Sequence, residues 1–73
     1  MRYVLLYQDE ENNWIAEVPS LPGCHSDGQT REEAIVRVKE AIELYIEVLR
    51  DDNMDVPDEY PNLSLVAVET VAL

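Results

Sequence analysis

The fold is decided between residues 14 and 34, which read WIAEVPSLPGCHSDGQTREEA. The run from Trp14 to Val18 alternates its side chains between two faces, which is typical of a β-strand. Two prolines and Gly23 then stop this strand, because proline lacks a backbone donor and glycine accepts a positive φ. A short extended segment from Cys24 to Asp27 follows. The stretch therefore predicts a strand, a turn, a third strand and the start of a helix.

The start of that helix carries the clearest local signal. Thr30 stands in the capping position and Glu33 follows three residues later, which is the spacing of a capping box. From Arg31 the chain contains neither glycine nor proline until Pro57. The apolar residues in between recur every three or four positions, as on one side of a helix. We therefore expect one long helix that ends near residues 50–52.

The apolar side of the helix consists of two adjacent rows. The first row comprises Ala34, Val38, Ala41, Tyr45 and Leu49. The second row comprises Ile35, Ile42 and Ile46. Together they form an arc wider than contact with one sheet requires. Two interpretations remain open: the isoleucine row forms a subunit interface, or a curved sheet covers both rows.

The flanking segments complete the fold prediction. Residues 2–8 read as a strand with apolar residues on both faces, which indicates a strand covered on both sides. The polar turn 9–13 joins it to the Trp14 strand as a β-hairpin. After the helix, residues 51–59 form a charged linker and residues 63–71 a last strand. We expect one α+β domain, residues 1–73, with a three- to four-stranded antiparallel sheet and the helix on one face (β-β-β-α-β).

Chain length and composition indicate the oligomeric state and the cellular compartment. With 73 residues the chain lies near the lower limit for folding alone, so we expect a homodimer or higher homo-oligomer. It has one cysteine, Cys24, which excludes an intrachain disulfide. Its apolar runs fall short of the roughly 20 residues that span a bilayer. We therefore expect a cytoplasmic protein without membrane contact.

The net charge of −11 is concentrated outside the helix. Residues 31–50 carry five acids and four bases, whereas residues 51–73 carry six acids and no base. Such a chain repels phosphate, so direct nucleic-acid binding is not expected. A basic protein would be attracted and steered, although simple solubility also explains the charge. The candidate partner-binding residues are Asp9, Glu10, Glu11, Trp14, Asp51, Asp52 and Asp55.

Trp14 has two interpretations that the sequence leaves open. It stands at the start of a strand, beside the polar turn, and is the only tryptophan of the chain. Large aromatic side chains serve equally as core residues and as interface anchors.

No catalytic residue, cofactor or metal ligand set is expected. Hydrolysis with two metal ions needs several converging carboxylates, and the predicted strands carry only Glu17, Asp27 and Glu69. Cys24 and His25 are adjacent, but neighbours on a strand point to opposite faces and cannot form a dyad. We expect Cys24 to be buried and His25 exposed.

A partial calcium-loop pattern also fails. Asp51, Asn53 and Asp55 match the opening of such a loop. The sixth position is Val56 where glycine is needed, and the twelfth is Asn62 where glutamate is needed. The segment is better explained as a solvated linker.

The run of residues 14–34 resembles the HicB antitoxin family. The N-terminal domain of that family shows a strand, a Pro-x-Leu-Pro-Gly-like turn and a Ser/Thr-x-Gly-x-Thr segment that opens a helix with Glu-Glu-Ala. Here the turn is residues 19–23, the segment is residues 26–30 and the helix opening is residues 31–34. The resemblance covers roughly residues 1–50. It implies a partial ribonuclease-H-like fold and binding to a HicA toxin, a small basic ribonuclease that cleaves mRNA.

One departure from the family pattern affects the expected function. Many HicB antitoxins carry a C-terminal DNA-binding domain, but the residues after Arg50 are acidic and fit one linker and one strand. We therefore expect no direct operator binding by this chain. The leading hypothesis is an antitoxin module that binds and masks a HicA-type toxin. The alternative is a stand-alone oligomeric structural or regulatory protein without a toxin partner.

Overall fold

The computed structural model describes residues 2–59 and 69–73. Its elements are β1 (Tyr3–Gln8), β2 (Trp14–Glu17), β3 (His25–Gly28), α1 (Arg31–Asp51) and β4 (Glu69–Ala72). The strands form one antiparallel sheet in the order β3-β2-β1-β4. This confirms the predicted α+β class and the β-β-β-α-β order. The part of the predicted last strand before residue 69 lies outside the described residues.

The hairpin between β1 and β2 is closed by its own polar residues. The Asp9 amide donates to the Asn13 carbonyl at 3.0 Å, and the Asn12 amide donates to the Asp9 carbonyl at 3.1 Å. Asn12 adopts a φ of 65°, a conformation that asparagine tolerates better than most residues. The Asp9 carboxylate also accepts from the amides of Glu11 and Asn13, each at 2.9 Å. The acidic turn is therefore a defined structure.

The proline-rich connection between β2 and β3 consists of two successive turns. The Leu21 amide donates to the Val18 carbonyl at 3.1 Å, and the Cys24 amide donates to the Leu21 carbonyl at 2.9 Å. Gly23 has a φ of 81°, as its position in the turn predicts. Leu21 is completely buried. Its burial fixes this loop against the body of the domain.

Both ends of α1 follow the sequence signals. The Thr30 hydroxyl accepts from the Glu33 amide at 3.1 Å, which confirms the predicted cap. At the other end, Asn53 has a φ of 54° and its amide donates to the Arg50 carbonyl at 3.1 Å. The Met54 amide donates to the Leu49 carbonyl at 2.8 Å. These two bonds form a Schellman motif, which ends the helix.

The core lies between α1 and one face of the sheet. Its buried apolar residues are Val4, Leu6, Ala16, Val18, Leu21, Cys24, Ala34, Val38 and Ile42. The helix comes close to the sheet at Gly28, where an added Cβ would lie 2.6 Å from the backbone nitrogen of Ala34. The Ser26 hydroxyl donates to the Ala34 carbonyl at 3.0 Å. The first turn of the helix is thus fastened directly onto β3.

The expectation that β1 is covered on both faces is wrong for the described chain. Val4 and Leu6 are buried, but Tyr3 and Tyr7 on the opposite face are 38% and 36% exposed. The physical reason is that α1, the helix found in residues 2–59 and 69–73, packs against one face of the sheet. The apolar residues of the other face are therefore available to solvent or to another molecule.

The isoleucine row of α1 is partly buried against the sheet. In one of the two interpretations Ile42 lies at an oligomer interface, but in this structure it is 8% exposed and belongs to the core. The reason is that Ile42 follows Ala34 and Val38 at intervals of four, so all three face the sheet. Ile35 and Ile46 are half-buried and pack against the same core. For Ile42, the alternative in which the sheet covers both rows is the one observed.

The start of β3 is one residue later than predicted. Cys24 closes the preceding turn, and the strand runs from His25 to Gly28. Cys24 is buried and His25 is exposed, as expected from their alternation.

Candidate protein-binding surfaces

An apolar groove runs between β3 and the C-terminal half of α1, and we call it the β3 groove. Its volume is about 360 Å³, and it is lined by Gly23, Cys24, His25, Ala41, Leu44, Tyr45, Val48 and Leu49. Leu44 and Val48 are 62% and 51% exposed. Large aliphatic side chains at this exposure on one side of a helix favour contact with another molecule.

The polar side chains Tyr45 and Arg37 fix α1 to β3 and to the loop before it. At the loop end, the Tyr45 hydroxyl donates to the Pro22 carbonyl at 2.9 Å. Toward the start of the helix, Arg37 donates to the Asp27 carbonyl at 3.2 Å and contacts a Glu33 carboxylate oxygen at 2.8 Å. The groove is therefore formed by segments that are fixed to each other.

The thiol of Cys24 contributes an apolar surface to the groove. The side chain is buried, and burial raises the pKa of the thiol above its usual value. The neutral thiol is therefore the form present near pH 7, and it behaves as a small hydrophobe.

Acidic side chains border the two exposed aliphatic residues. Glu40 and Glu47 are the helical neighbours of Leu44 at intervals of four and three residues. Asp51 and Asp52 stand three and four residues after Val48. All four acids are exposed. None of the four lines the groove itself, and Glu47 and Asp51 line a separate depression beside Ile42 and Ile46. Because they adjoin the aliphatic pair along the helix, we call the four acids the acidic rim.

β3 is the outermost strand on its side of the sheet. The Val18 amide donates to the Cys24 carbonyl at 3.0 Å, so this carbonyl faces the end of β2, while the Cys24 amide closes the preceding turn. Because backbone groups alternate along a strand, those of His25 and Asp27 face away from the sheet. Arg37 occupies the Asp27 carbonyl. Within residues 2–59 and 69–73, no strand pairs with this outer side of β3.

The face of the sheet that lacks the helix is a second apolar surface. The register places Leu5 opposite Glu17 and Tyr7 opposite Ile15. The Tyr7 hydroxyl donates to a Glu17 carboxylate oxygen at 2.6 Å, and this bond raises the pKa of the tyrosine. We call the surface formed by Tyr3, Leu5, Tyr7 and Ile15 the open sheet face.

The acids chosen from the sequence lie in two separate groups. Asp9, Glu10 and Glu11 are at the hairpin turn, near the start of the helix, because Trp14 pairs with Gly28 there. Asp51 is the last residue of α1, Asp52 and Asp55 follow it, and all six acids are exposed. A helix of 21 residues is about 30 Å long. The structure therefore does not bring the two groups together.

Two of the chosen residues also have structural roles. The hydrogen bonds from Asn13 and Glu11 lower the pKa of Asp9, so the turn stabilises the ionised form of this carboxyl group. Trp14 is half-buried and packs against the core. The core interpretation of Trp14 thus accounts for part of its surface, and a role in binding stays a prediction.

Leu44 and Val48 are not among the binding residues predicted from the sequence. Neither belongs to the two apolar rows, because both lie on the flank of the helix beside Ala41 and Tyr45. Their spacing of four residues places them on one side of the helix, next to the first row. That spacing was the signal available in the sequence.

The described residues show no assembled metal site. Among residues 2–59 and 69–73, no group of three or more histidine, cysteine, aspartate or glutamate side chains is arranged to hold a metal ion. In the same residues, no helix is long and apolar enough to cross a membrane.

These features define a small antiparallel α+β domain with one long helix on its sheet. Residues 3–69 match the family described as the HicB-like antitoxin of bacterial toxin-antitoxin systems. The chain is 41% identical over 68 residues to a UPF0150 protein of Archaeoglobus fulgidus, which covers 92% of this chain and 93% of that protein. A UPF0150 protein of Thermoplasma acidophilum is 43% identical over 58 residues, covering 78% and 84%. The chain belongs to the HicB-like antitoxin family.

Two further similar proteins are named as HicB antitoxins. The N-terminal domain of Burkholderia pseudomallei antitoxin HicB superimposes with a TM-score of 0.79 at 24% identity, covering 96% of this chain and 91% of that one. At that identity the likeness establishes the shared fold. Antitoxin HicB 2 of Photorhabdus laumondii is 28% identical over 57 residues, which are 78% of this chain and 41% of that protein.

Proposed function

We propose that this chain is an antitoxin module that binds and masks a HicA-type toxin, a small basic ribonuclease. The observation that carries the proposal is the β3 groove with its acidic rim. An exposed aliphatic pair, Leu44 and Val48, supplies apolar contact area. The surrounding carboxylates match a partner of opposite charge.

In the proposed mechanism, apolar contacts and acidic side chains make different contributions to toxin binding. Burial of the aliphatic pair supplies most of the affinity, while the acids raise the rate of encounter with a basic protein. Once bound, a chain of net charge −11 also repels RNA from the toxin surface. The module acts by binding and not by catalysis, and the proposal places the encounter in the cytoplasm, where mRNA is cleaved.

The test uses a HicA-type toxin encoded in the same genome, with its catalytic residue replaced so that it can be produced alone. The two purified proteins are mixed and titrated by calorimetry. We expect a stoichiometric complex whose affinity falls as salt is raised, because part of the attraction is electrostatic. Absence of binding at low salt would refute the proposed function.

We also propose that the chain self-associates through the open sheet face. Tyr3 and Tyr7 are more than one-third exposed there, beside Leu5 and Ile15. A short chain gains stability by covering such a face. Ile35 and Ile46 remain candidates for a separate oligomer interface on the helix side.

The solution mass checks this second proposal. The wild-type chain should elute as a dimer or larger oligomer in light-scattering chromatography. Leu5→Lys places a charge in the middle of the open sheet face and should yield monomers. A monomeric wild-type chain at high concentration would contradict the proposal.

A further inference from the structure

We propose that the toxin docks by adding a strand to the outer edge of β3 and placing an apolar side chain in the β3 groove. The inference rests on the proposed function and specifies its contact surface. The partner it requires is a cationic protein that presents an extended segment.

The backbone of β3 offers the first half of this contact. His25 directs both its N–H and its carbonyl away from β2, and Asp27 directs its N–H the same way. These groups have the spacing that an added antiparallel or parallel strand pairs with. Arg37 already occupies the Asp27 carbonyl. Pairing is therefore centred on His25.

The groove offers the second half. His25 lines the β3 groove and is also part of the free edge, so the two features adjoin. Side chains of an added strand alternate between the two faces of the sheet. Those on the helix side would meet Leu44 and Val48. One such side chain covers the aliphatic pair that the chain itself leaves exposed.

Charge decides between a cationic partner and a second copy of this chain. A second copy paired edge to edge would bring its own acidic rim, Glu40, Glu47, Asp51 and Asp52, toward the same residues of the first. Like charges in close apposition disfavour that arrangement. A segment that carries lysine or arginine beside its apolar anchor is attracted by the same rim.

The short length of β3 fits a specific partner better than general strand pairing. The strand has four residues, and Arg37 covers one of its outer acceptors. Short edge strands with charged side chains resist indiscriminate pairing. A partner must therefore gain part of its affinity from the groove, which makes the contact selective.

Amide hydrogen exchange, read by NMR, tests the backbone half. The free chain and its complex with the inactive HicA-type toxin are compared. We expect the His25 and Asp27 amides to exchange about tenfold or more slowly in the complex, because strand pairing occupies them. A contact through side chains alone would leave both amides exchanging as in the free chain.

Leu44→Glu and a matched control test the groove half. Leu44→Glu should weaken toxin binding by about 10- to 100-fold, since it places a charge at the apolar contact. Val36→Glu is the control, because Val36 is 58% exposed on the same helix but does not line the groove. It should change the affinity by less than about twofold.

His25→Pro removes the outward N–H and should also weaken binding, with thermal unfolding confirming that the variant is folded.

The outcomes separate this inference from the proposed function. If wild-type chain and toxin do not bind, both are overturned. If they bind while the two amides stay unprotected and Leu44→Glu binds as tightly as wild type, the docking surface is overturned and the antitoxin function stands. If the amides become protected in the chain alone as its concentration rises, a second copy occupies the edge and the inference is overturned.

Discussion

The hydroxyl of Tyr45 donates a hydrogen bond to the carbonyl of Pro22 across 2.9 Å. This bond joins the middle of the helix to the loop that precedes β3. Gly23, the next residue of that loop, and Tyr45 itself both line the β3 groove. The bond therefore links the stability of the loop to the shape of the candidate binding surface.

Tyr45→Phe tests this link between loop stability and toxin binding. It removes the hydroxyl and keeps the ring that packs against the core. Loss of one such hydrogen bond should lower the free energy of unfolding by about 0.5–1.5 kcal/mol, measured by urea titration. Toxin affinity should fall as well, because the loop wall loosens. A Tyr45→Phe protein as stable as wild type would show that the bond is not formed in solution.

Gly28→Ala should be strongly destabilising. The new Cβ would lie 2.6 Å from the Ala34 backbone nitrogen, so the helix must move off β3. Overpacking of this kind typically costs about 1–3 kcal/mol, again measured by urea unfolding. Gly23→Asn is the comparison variant, because a Cβ at Gly23 meets nothing within 4 Å and its cost comes only from the φ of 81°, which asparagine adopts more readily than most residues. Equal losses for both variants would contradict the close approach at Gly28.

Asp9→Ala should destabilise the hairpin in a pH-dependent way. Hydrogen bonds from Asn13 and Glu11 hold the pKa of Asp9 below the ordinary value of 3.8. A carboxyl whose pKa is lower in the folded state stabilises fully above its unfolded value, and this contribution is lost as the pH falls through the folded value. The difference in melting temperature between wild type and Asp9→Ala should therefore be large at pH 7 and shrink below pH 3.8. A difference in melting temperature that grows as the pH falls would contradict the lowered pKa of Asp9.

The two groups of acids should contribute unequally to toxin association. Asp51→Asn with Asp52→Asn removes charge from the rim and should slow association by about three- to tenfold at low salt. Glu10→Gln with Glu11→Gln removes the same charge at the far end of the helix and should have a smaller effect. Stopped-flow association rates at two salt concentrations measure both. Equal slowing by the two pairs would indicate steering by net charge alone.

The order of elements could be predicted because their signals are local. Thr30 and Glu33 mark the start of the helix through bonds within a single turn. Gly23 and the prolines mark the end of a strand through restrictions on single residues. These signals do not depend on what packs against the segment, so the sequence contains them in full.

The candidate surface was harder to predict because exposure depends on tertiary packing. Ile42 and Leu44 are both large aliphatic residues of one helix, yet one is 8% and the other 62% exposed. The difference follows from the position of the sheet relative to the helix. Sequence spacing predicts an apolar arc that includes Ile42, but it does not show that the sheet buries Ile42 and leaves Leu44, outside that arc, uncovered. The free edge of β3 likewise depends on the strand order.

The most direct test of the central claim is an RNA-cleavage assay with the active HicA-type toxin of the same genome. The toxin cleaves a labelled mRNA in the absence and presence of increasing amounts of this chain. We predict that cleavage stops near one chain per toxin, and that Leu44→Glu shifts inhibition to higher concentrations while Val36→Glu does not. Unchanged cleavage at a large excess of the folded wild-type chain would contradict the account.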